Sequence, residues 1–170
     1  GAKAQINELA FPQQIPYQEI EDIAPVFDFS NDSCLPAWSI GIFGASNPGI
    51  SENVNEIAPA NCRRSDFLQH SNTLHRYDCV YQNGKQYCGH IFGLYFELDR
   101  IEPKNDIKVD PFGLFSISNP YPKGHRHDWE HVVVWTTDGQ VTHAGVSAHG
   151  EYEVRELSRT EHENGRVKVR

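Results

Sequence analysis

Residues 124–135 read GHRHDWEHVVVW. The back half, Val132-Val133-Val134-Trp135, has the β-branched and aromatic composition of a buried strand. The front half crowds His125, Arg126, His127, Asp128, Trp129 and Glu130 directly against that strand. A strand needs only its apolar half, so the polar half calls for another explanation. Alternate residues of an extended chain share a face. Arg126, Asp128 and Glu130 are therefore expected on one side, with His127 and Trp129 on the other. Two carboxylates this close on one face repel each other unless something positive lies between them. Arg126 could do this as an ion pair, and a metal ion could do it better. His125 follows Gly124, where the chain can bend, so it need not obey the alternation.

Working outward, the neighbouring signals are also those of strands. The central strand is expected over Trp129 to Thr136. Asp138-Gly139 is a hairpin turn signal, with Val141 to Ser147 as its partner. Upstream, Asn83-Gly84 joins Asp78–Tyr81 to Lys85–Leu98, and Gly113–Ile117 reads as a further strand. Asn164-Gly165 marks a third turn. Helix signals are weak: Tyr17 to Ile23, between Pro16 and Pro25, and Arg64 to Leu74. Residues 44–61, rich in Gly, Ser, Asn and Pro, read as a long loop. Short strands between hairpin turns predict an antiparallel sandwich or barrel with little helix. A last strand begins at Val167-Lys168-Val169-Arg170. A sheet protein stopping there is expected to leave an unpaired edge, which points to truncation or nicking of a single domain spanning 1–170.

At 170 residues the chain is the size of one domain, with 38% hydrophobic and 22% charged residues, as in ordinary soluble domains. No apolar run is long enough for a transmembrane helix. A net charge of −8 with no local Lys/Arg cluster argues against nucleic acid as a partner and against anionic lipid. A protein of this charge working at a membrane must read neutral or sugar-bearing headgroups, or use a cation as a bridge. The four cysteines, Cys34, Cys62, Cys79 and Cys88, form no CxxC pair. Cys79 and Cys88 flank the Asn83-Gly84 turn, where a hairpin can bring them within bonding range if the register allows. An even count without metal spacing favours two disulfides and an oxidising compartment. Four reduced, buried cysteines are the alternative.

Asp99 closes the apolar stretch Phe92-Gly93-Leu94-Tyr95-Phe96 and can meet Asp128 and Glu130 from a neighbouring strand. Three carboxylates and the imidazole of His125 are mostly hard oxygen, a donor set suited to Ca²⁺, Mg²⁺ or Mn²⁺ rather than structural zinc. A salt-bridge network around Arg126 gathers the same residue types, and spacing alone does not separate the two. Paired carboxylates also serve glycoside hydrolysis, but two on one strand are poorly placed to flank a substrate bond. Ser147-Ala148-His149 lacks a Gly-x-Ser-x-Gly nucleophile elbow, which ranks hydrolysis low.

Gly124-His125-Arg126-His127-Asp128-Trp129-Glu130 resembles, residue for residue, the signature heptapeptide of the necrosis- and ethylene-inducing-peptide-like proteins, secreted cytolysins of plant-associated microbes. Leu94-Tyr95-Phe96-Glu97-Leu98-Asp99 is similar to the family's Tyr-Phe-x-x-Asp segment, and Ser147-Ala148-His149-Gly150 to its later His-Gly motif. Ser33-Cys34-Leu35-Pro36 and Asn61-Cys62-Arg63 resemble the regions that carry its common disulfide, which implies a Cys34–Cys62 bridge. The extra pair, Cys79 and Cys88, is similar to the four-cysteine branch. The resemblance implies a β-sandwich with a few short peripheral helices, like actinoporins and fungal lectins. It implies a secreted, monomeric cytolysin without catalytic turnover, binding glycosylated inositol phosphoceramide sphingolipids of plant plasma membranes. It also implies a divalent cation, Ca²⁺ or Mg²⁺, held by Asp99, His125, Asp128 and Glu130. His149 would support the site through water, while Arg126, His127 and Trp129 would orient and pack the motif. Arg100 to Lys123 separate Asp99 from the heptapeptide, and Asp110 within them is an alternative fourth ligand. A non-lytic binding module sensed by plants and a metal-dependent hydrolase are the two other readings.

Overall fold

The computed structural model describes residues 18–29, 34–50, 62–99, 125–148 and 151–169. One helix, α1 (Gln18–Ile23), precedes a two-residue strand, β1 (Val26–Phe27). Four longer strands follow: β2 (Leu74–Gln82), β3 (Lys85–Leu98), β4 (Arg126–Thr137) and β5 (Gln140–Ala148). Shorter ones complete the set: β6 (Glu151–Glu156), β7 (Glu161–Glu163) and β8 (Arg166–Val169). They form a five-stranded sheet ordered β2-β3-β4-β5-β6 and a three-stranded sheet ordered β1-β8-β7. The protein is mainly β, as the turn and strand pattern predicts.

The larger sheet is antiparallel throughout. Its hairpins turn at Asn83-Gly84 and Asp138-Gly139, and the β7–β8 hairpin turns at Asn164-Gly165. All six residues have positive φ, between 51° and 78°. That is the geometry a two-residue turn needs to match strand twist, and it is why Asn/Asp-Gly pairs mark these hairpins. β4 alternates strictly through its apolar half, burying Val132, Val134 and Thr136. Val134 is fully buried at the centre. Phe92, Val132 and Val134 form the core of this sheet, and Ile20 and Ile23 of α1, Phe27 of β1 and Val169 of β8 pack against it. The helix and the small sheet thus close the inward face of the large one.

Several expectations need correction. The chain does not end in an unpaired edge strand: β8 lies in the middle of its sheet, parallel to β1 on one side and antiparallel to β7 on the other. The β1–β8 pair is also the departure from an all-antiparallel architecture. Arg64 to Leu74 is not a helix; only the 3-10 turn Phe67–Gln69 forms, and Leu74 already belongs to β2. Its apolar residues do not repeat at helical spacing, so nothing pins a helical face. β6 was not expected, because its sequence EYEVRE is exposed along its whole length and carries no inward apolar face. The expected strand Gly113–Ile117 lies outside the described residues, as do Tyr17 and residues 51–61 of the expected loop.

Both disulfides form, Cys34–Cys62 and Cys79–Cys88. Cys79 stands directly opposite Cys88 in the β2–β3 register, so the hairpin itself delivers the pair. Cys34 and Cys62 are buried with Leu98, and Ile50 and Phe96 pack against them. This second cluster ties the irregular segments around residues 34–50 and 62 to the end of β3.

Two histidines, buried His90 and half-buried His75, share the inner face of the β2–β3 hairpin. His75 Nε2 and His90 Nδ1 lie 3.2 Å apart with their rings stacked. Burial holds both imidazoles below the ordinary histidine pKa, and His75 lowers His90 further. The folded protein therefore resists a proton that the unfolded chain accepts. This contribution is neutral above the unfolded pKa of about 6.5 and destabilises the fold as pH falls below it. Urea unfolding at about pH 7.5 and about pH 5.5 should show a loss of stability that is smaller in His90→Gln; an equal loss in both proteins would remove the pair as the cause. Val134→Ala should cost about 2 kcal/mol in the same assay, because it opens a cavity at the most enclosed point of the sheet.

Candidate functional site

The polar half of the opening stretch lies at the start of β4, paired with the end of β3. Asp128 stands opposite Phe96, Glu130 opposite Leu94 and Arg126 opposite Leu98. Asp128 and Glu130 continue the alternation of buried Val132 and Val134, so the face they share is the inward one. The strand thus aims two carboxylates at the inner face of the sheet, where a third joins them. The Asp99 N–H donates to the His125 carbonyl at 2.8 Å, clamping the chain as it enters β4. Across this clamp His125 Nε2 and Asp99 Oδ2 are 3.5 Å apart. The Asp99 side chain is 15% exposed, against 55% for His125.

The electrostatics follow from this placement. Burial pushes the Asp128 carboxyl above its usual range, the charges of Glu130 and Asp99 push it further, and His125 and a backbone hydrogen bond from Trp129 pull it back. Arg126 is not among the groups that act on it. Arg126 makes no ion pair with Asp128 or Glu130 among the described residues, so the alternative of a salt-bridge network around it has no centre there. The reason lies in the backbone. His127 has φ of +64°, a left-handed conformation in mid-strand for a residue with a Cβ. The alternation expected for an extended chain fails there. Arg126 and His127 both pack against Gly49: a Cβ on that glycine would lie 2.5 Å from Arg126 Cγ and 2.8 Å from His127 Cε1. A non-glycine residue with this φ carries a cost of about 1–3 kcal/mol, and such residues cluster at functional sites.

The opposite side of the motif is built around Tyr95, which is itself buried. Its hydroxyl and His127 Nδ1 are 2.7 Å apart. Burial, reinforced by Glu97, pushes the Tyr95 pKa up to about 12. The phenol therefore keeps its proton, and its hydroxyl can either donate to Nδ1 or accept from it, according to the His127 tautomer. Trp129, opposite Tyr95 in register, packs on the same ring at a centroid distance of 5.4 Å and remains 50% exposed. Tyr95 lies within a sequence motif that does not disclose its role; its place opposite Trp129 depends on register.

Nothing in the sequence assigns Ser147 to Glu130. In the structure its Oγ accepts the His131 N–H at 2.7 Å and donates to Glu130 Oε2 in a short hydrogen bond, with the His131 carbonyl also 3.2 Å away. It is a positioning group for Glu130. Asn47, also missed, is buried; its side-chain amide donates to the Trp38 carbonyl at 2.8 Å and to Glu97 Oε1 at 2.9 Å. Its Oδ1 accepts the Gly49 N–H at 2.8 Å. One polar loop residue thereby sets the glycine on which Arg126 and His127 rest.

The structure therefore gathers Asp99, His125, Asp128 and Glu130 into one field and puts Arg126, His127 and Trp129 around Tyr95 and Gly49. His149 and Asp110 lie outside the described residues. The donor chemistry fits a hard divalent cation: carboxylates on an inward face, one of them raised by burial and by its neighbours' charge. These side chains do not form a closed cage, and no group of three or more His, Cys, Asp or Glu among the described residues stands close enough to hold a metal.

The comparisons with known proteins agree with this architecture. A comparison with curated proteins found no match. Among solved structures, the chain is similar to one described as "Toxin fold for microbial attack and plant defense", with a TM-score of 0.63 at 21% identity over 95% of this chain and 66% of that one. It is similar to "NLPPya in complex with glucosamine", with a TM-score of 0.61 at 21% identity, covering 94% of this chain and 64% of that chain. The "non-toxic HaNLP3 protein" matches with a TM-score of 0.57 at 18% identity, over 95% and 65% of the two chains. The chain thus spans about two thirds of the length of the structures it resembles. Residues 18–170 match the profile described as Necrosis inducing protein (NPP1), and the chain belongs to that family.

Proposed function

We propose that this protein is a secreted cytolysin. It binds the glycosylated inositol phosphoceramide headgroups of plant plasma membranes through a divalent cation, Ca²⁺ or Mg²⁺, and damages the membrane without catalytic turnover. The observation that carries this reading is the charge deficit at Asp128. An inward-facing carboxylate beside Glu130 and Asp99, opposed only by the charge of His125 and one backbone hydrogen bond from Trp129, is an arrangement that a cation relieves. Asp99, His125, Asp128 and Glu130 would hold it. A bound cation supplies the local positive charge that a chain of net charge −8 lacks, and adjacent sugar hydroxyls can replace waters on such an ion. The rest falls to the chain's own residues. Ser147 aims Glu130, the Asp99–His125 clamp sets the mouth of the site, and Tyr95 orients His127 beside exposed Trp129. The two disulfides suit an oxidising, extracellular setting. No described helix is long and apolar enough to cross a membrane.

Amino-sugar complexes of a structurally similar protein support a glycan headgroup as the ligand class. A second reading is favoured by one finding: the same fold is shared by a protein described as non-toxic. Under that reading the chain is a non-lytic binding module sensed by plants. Ser147 lends no support to a hydrolase, since its hydroxyl serves Glu130.

Calorimetric titration of chelator-treated protein should show one Ca²⁺ or Mg²⁺ bound, with affinity falling more than about a hundredfold in Asp128→Asn, since losing even an outer-shell partner costs about 10- to 100-fold. Equal affinity in both proteins would defeat the pocket. The same substitution should raise the melting temperature of cation-free protein at neutral pH. A raised carboxylate pKa costs stability above that pKa, and the cost disappears as pH falls through it, so the two melting curves should converge in acid. Dye-loaded vesicles containing the plant sphingolipid should leak with wild type and cation, and not with chelator. Binding without leakage selects the non-lytic module; release of a headgroup fragment selects the hydrolase.

A further inference from the structure

Residues 33–51 carry no Asp, Glu, Lys, Arg or His, in a chain that is 22% charged. Within this neutral run the structure builds a small hairpin. Ile40 bridges Ser46, and the Asn47 N–H donates to the Ser39 carbonyl at 2.9 Å. The Gly41 N–H donates to Ala45 at 2.9 Å and the Gly44 N–H to Gly41 at 2.8 Å, closing a tight turn over Gly41–Gly44. Gly44 has φ of +84°, which this turn requires. The two residues at the tip are Ile42 and Phe43. Phe43 is 85% exposed, the most exposed of the large apolar side chains described, with Ile40 at 52% and Ile42 at 38%. Isolated exposed apolar residues are ordinary, but three within four positions on an ordered turn without charge are a patch held out on purpose.

Its base is joined to the candidate site. The Ala37 N–H donates to the Tyr95 carbonyl, the Ile50 N–H to Glu97, and Asn47 binds the Glu97 side chain. Gly49 carries Arg126 and His127. Four residues of chain reach at most about 14 Å, so the tip stays within that distance of Ser39 and Asn47. We infer that the Ile40–Phe43 turn is an interfacial membrane anchor, its apolar side chains entering the outer leaflet while the neighbouring site reads a headgroup. The choice of a bilayer as occupant rests on the reading above that the protein acts at membranes. Neutrality is what a lipid interface selects, and a net charge of −8 elsewhere leaves this turn as a face that a bilayer does not repel. The turn's internal hydrogen bonds also suit entry into a medium that offers few partners.

The test separates anchoring from headgroup recognition by tethering polyhistidine-tagged protein to phosphatidylcholine vesicles doped with a nickel-chelating lipid. Phe43→Trp should then be quenched by brominated phosphatidylcholine beyond the level shown by the three native tryptophans of wild type. This holds whether or not the sphingolipid site works. In untethered binding to vesicles of phosphatidylcholine and plant sphingolipid, Phe43→Ser should weaken affinity about tenfold or more, and Phe43→Leu little. Cation affinity should be unchanged in all three variants. No added quenching in tethered Phe43→Trp overturns the anchor. Self-association in solution that Phe43→Ser abolishes, again without quenching, would make the turn a protein contact instead. Failure of cation or headgroup binding in wild type, with quenching intact, would overturn the proposed headgroup site and leave the anchor standing.

Discussion

The pairing of β3 with β4 governs both the core and the candidate site. One register places Phe92 beside Val132 and His90 beside Val134, and carries the same alternation on to Leu94–Glu130 and Phe96–Asp128. A slip of one residue would turn Val132 and Val134 outward and bring His131 inward. The carboxylates and the core therefore depend on each other. The apolar half of β4 supplies the free energy that holds the register. The polar half uses that register to hold Asp128 where burial makes its charge costly, with Glu130 beside it.

That cost has a recognisable form. Asp128 feels a reduced share of solvent and two like charges, and His125 and a backbone hydrogen bond from Trp129 offset them only in part. Natural folds remove such conflicts when they serve nothing. The left-handed backbone at His127 is a second local cost on the same segment, and it moves Arg126 away from the carboxylates it would otherwise neutralise. Strain and uncompensated charge thus occur together, three residues apart or less, on the one strand end that the core does not need.

The surrounding loops show how irregular chain is made to serve this end of the sheet. The Cys34–Cys62 bridge and Leu98 anchor the segments on either side of the neutral run. Asn47, Glu97 and Gly49 then transmit that anchoring to the backs of Arg126 and His127. The geometry of the heptapeptide is set as much by this loop as by its own strand.

Much of this was legible in the sequence. The Asn-Gly and Asp-Gly pairs determined the three hairpins, since few residues tolerate positive φ at both turn positions. The Val132–Trp135 run determined the central strand, and β3 could be read to its end residues because apolar spacing and turn agreed. The polar crowding ahead of that run identified the candidate site. Tertiary structure decided what no local pattern encodes. β8 sits between β1 and β7 because strand order is a matter of long-range pairing, and β6 forms because β5 offers it an edge, not because it has an apolar face. Arg126 leaves the carboxylates because of a backbone angle at His127, and Tyr95, Asn47, Gly49 and Ser147 gain their roles from neighbours distant in the chain. Sequence carries the propensities of residues for turns, strands and burial. Which side chains then meet depends on register and packing, which exist only once the chain has closed on itself.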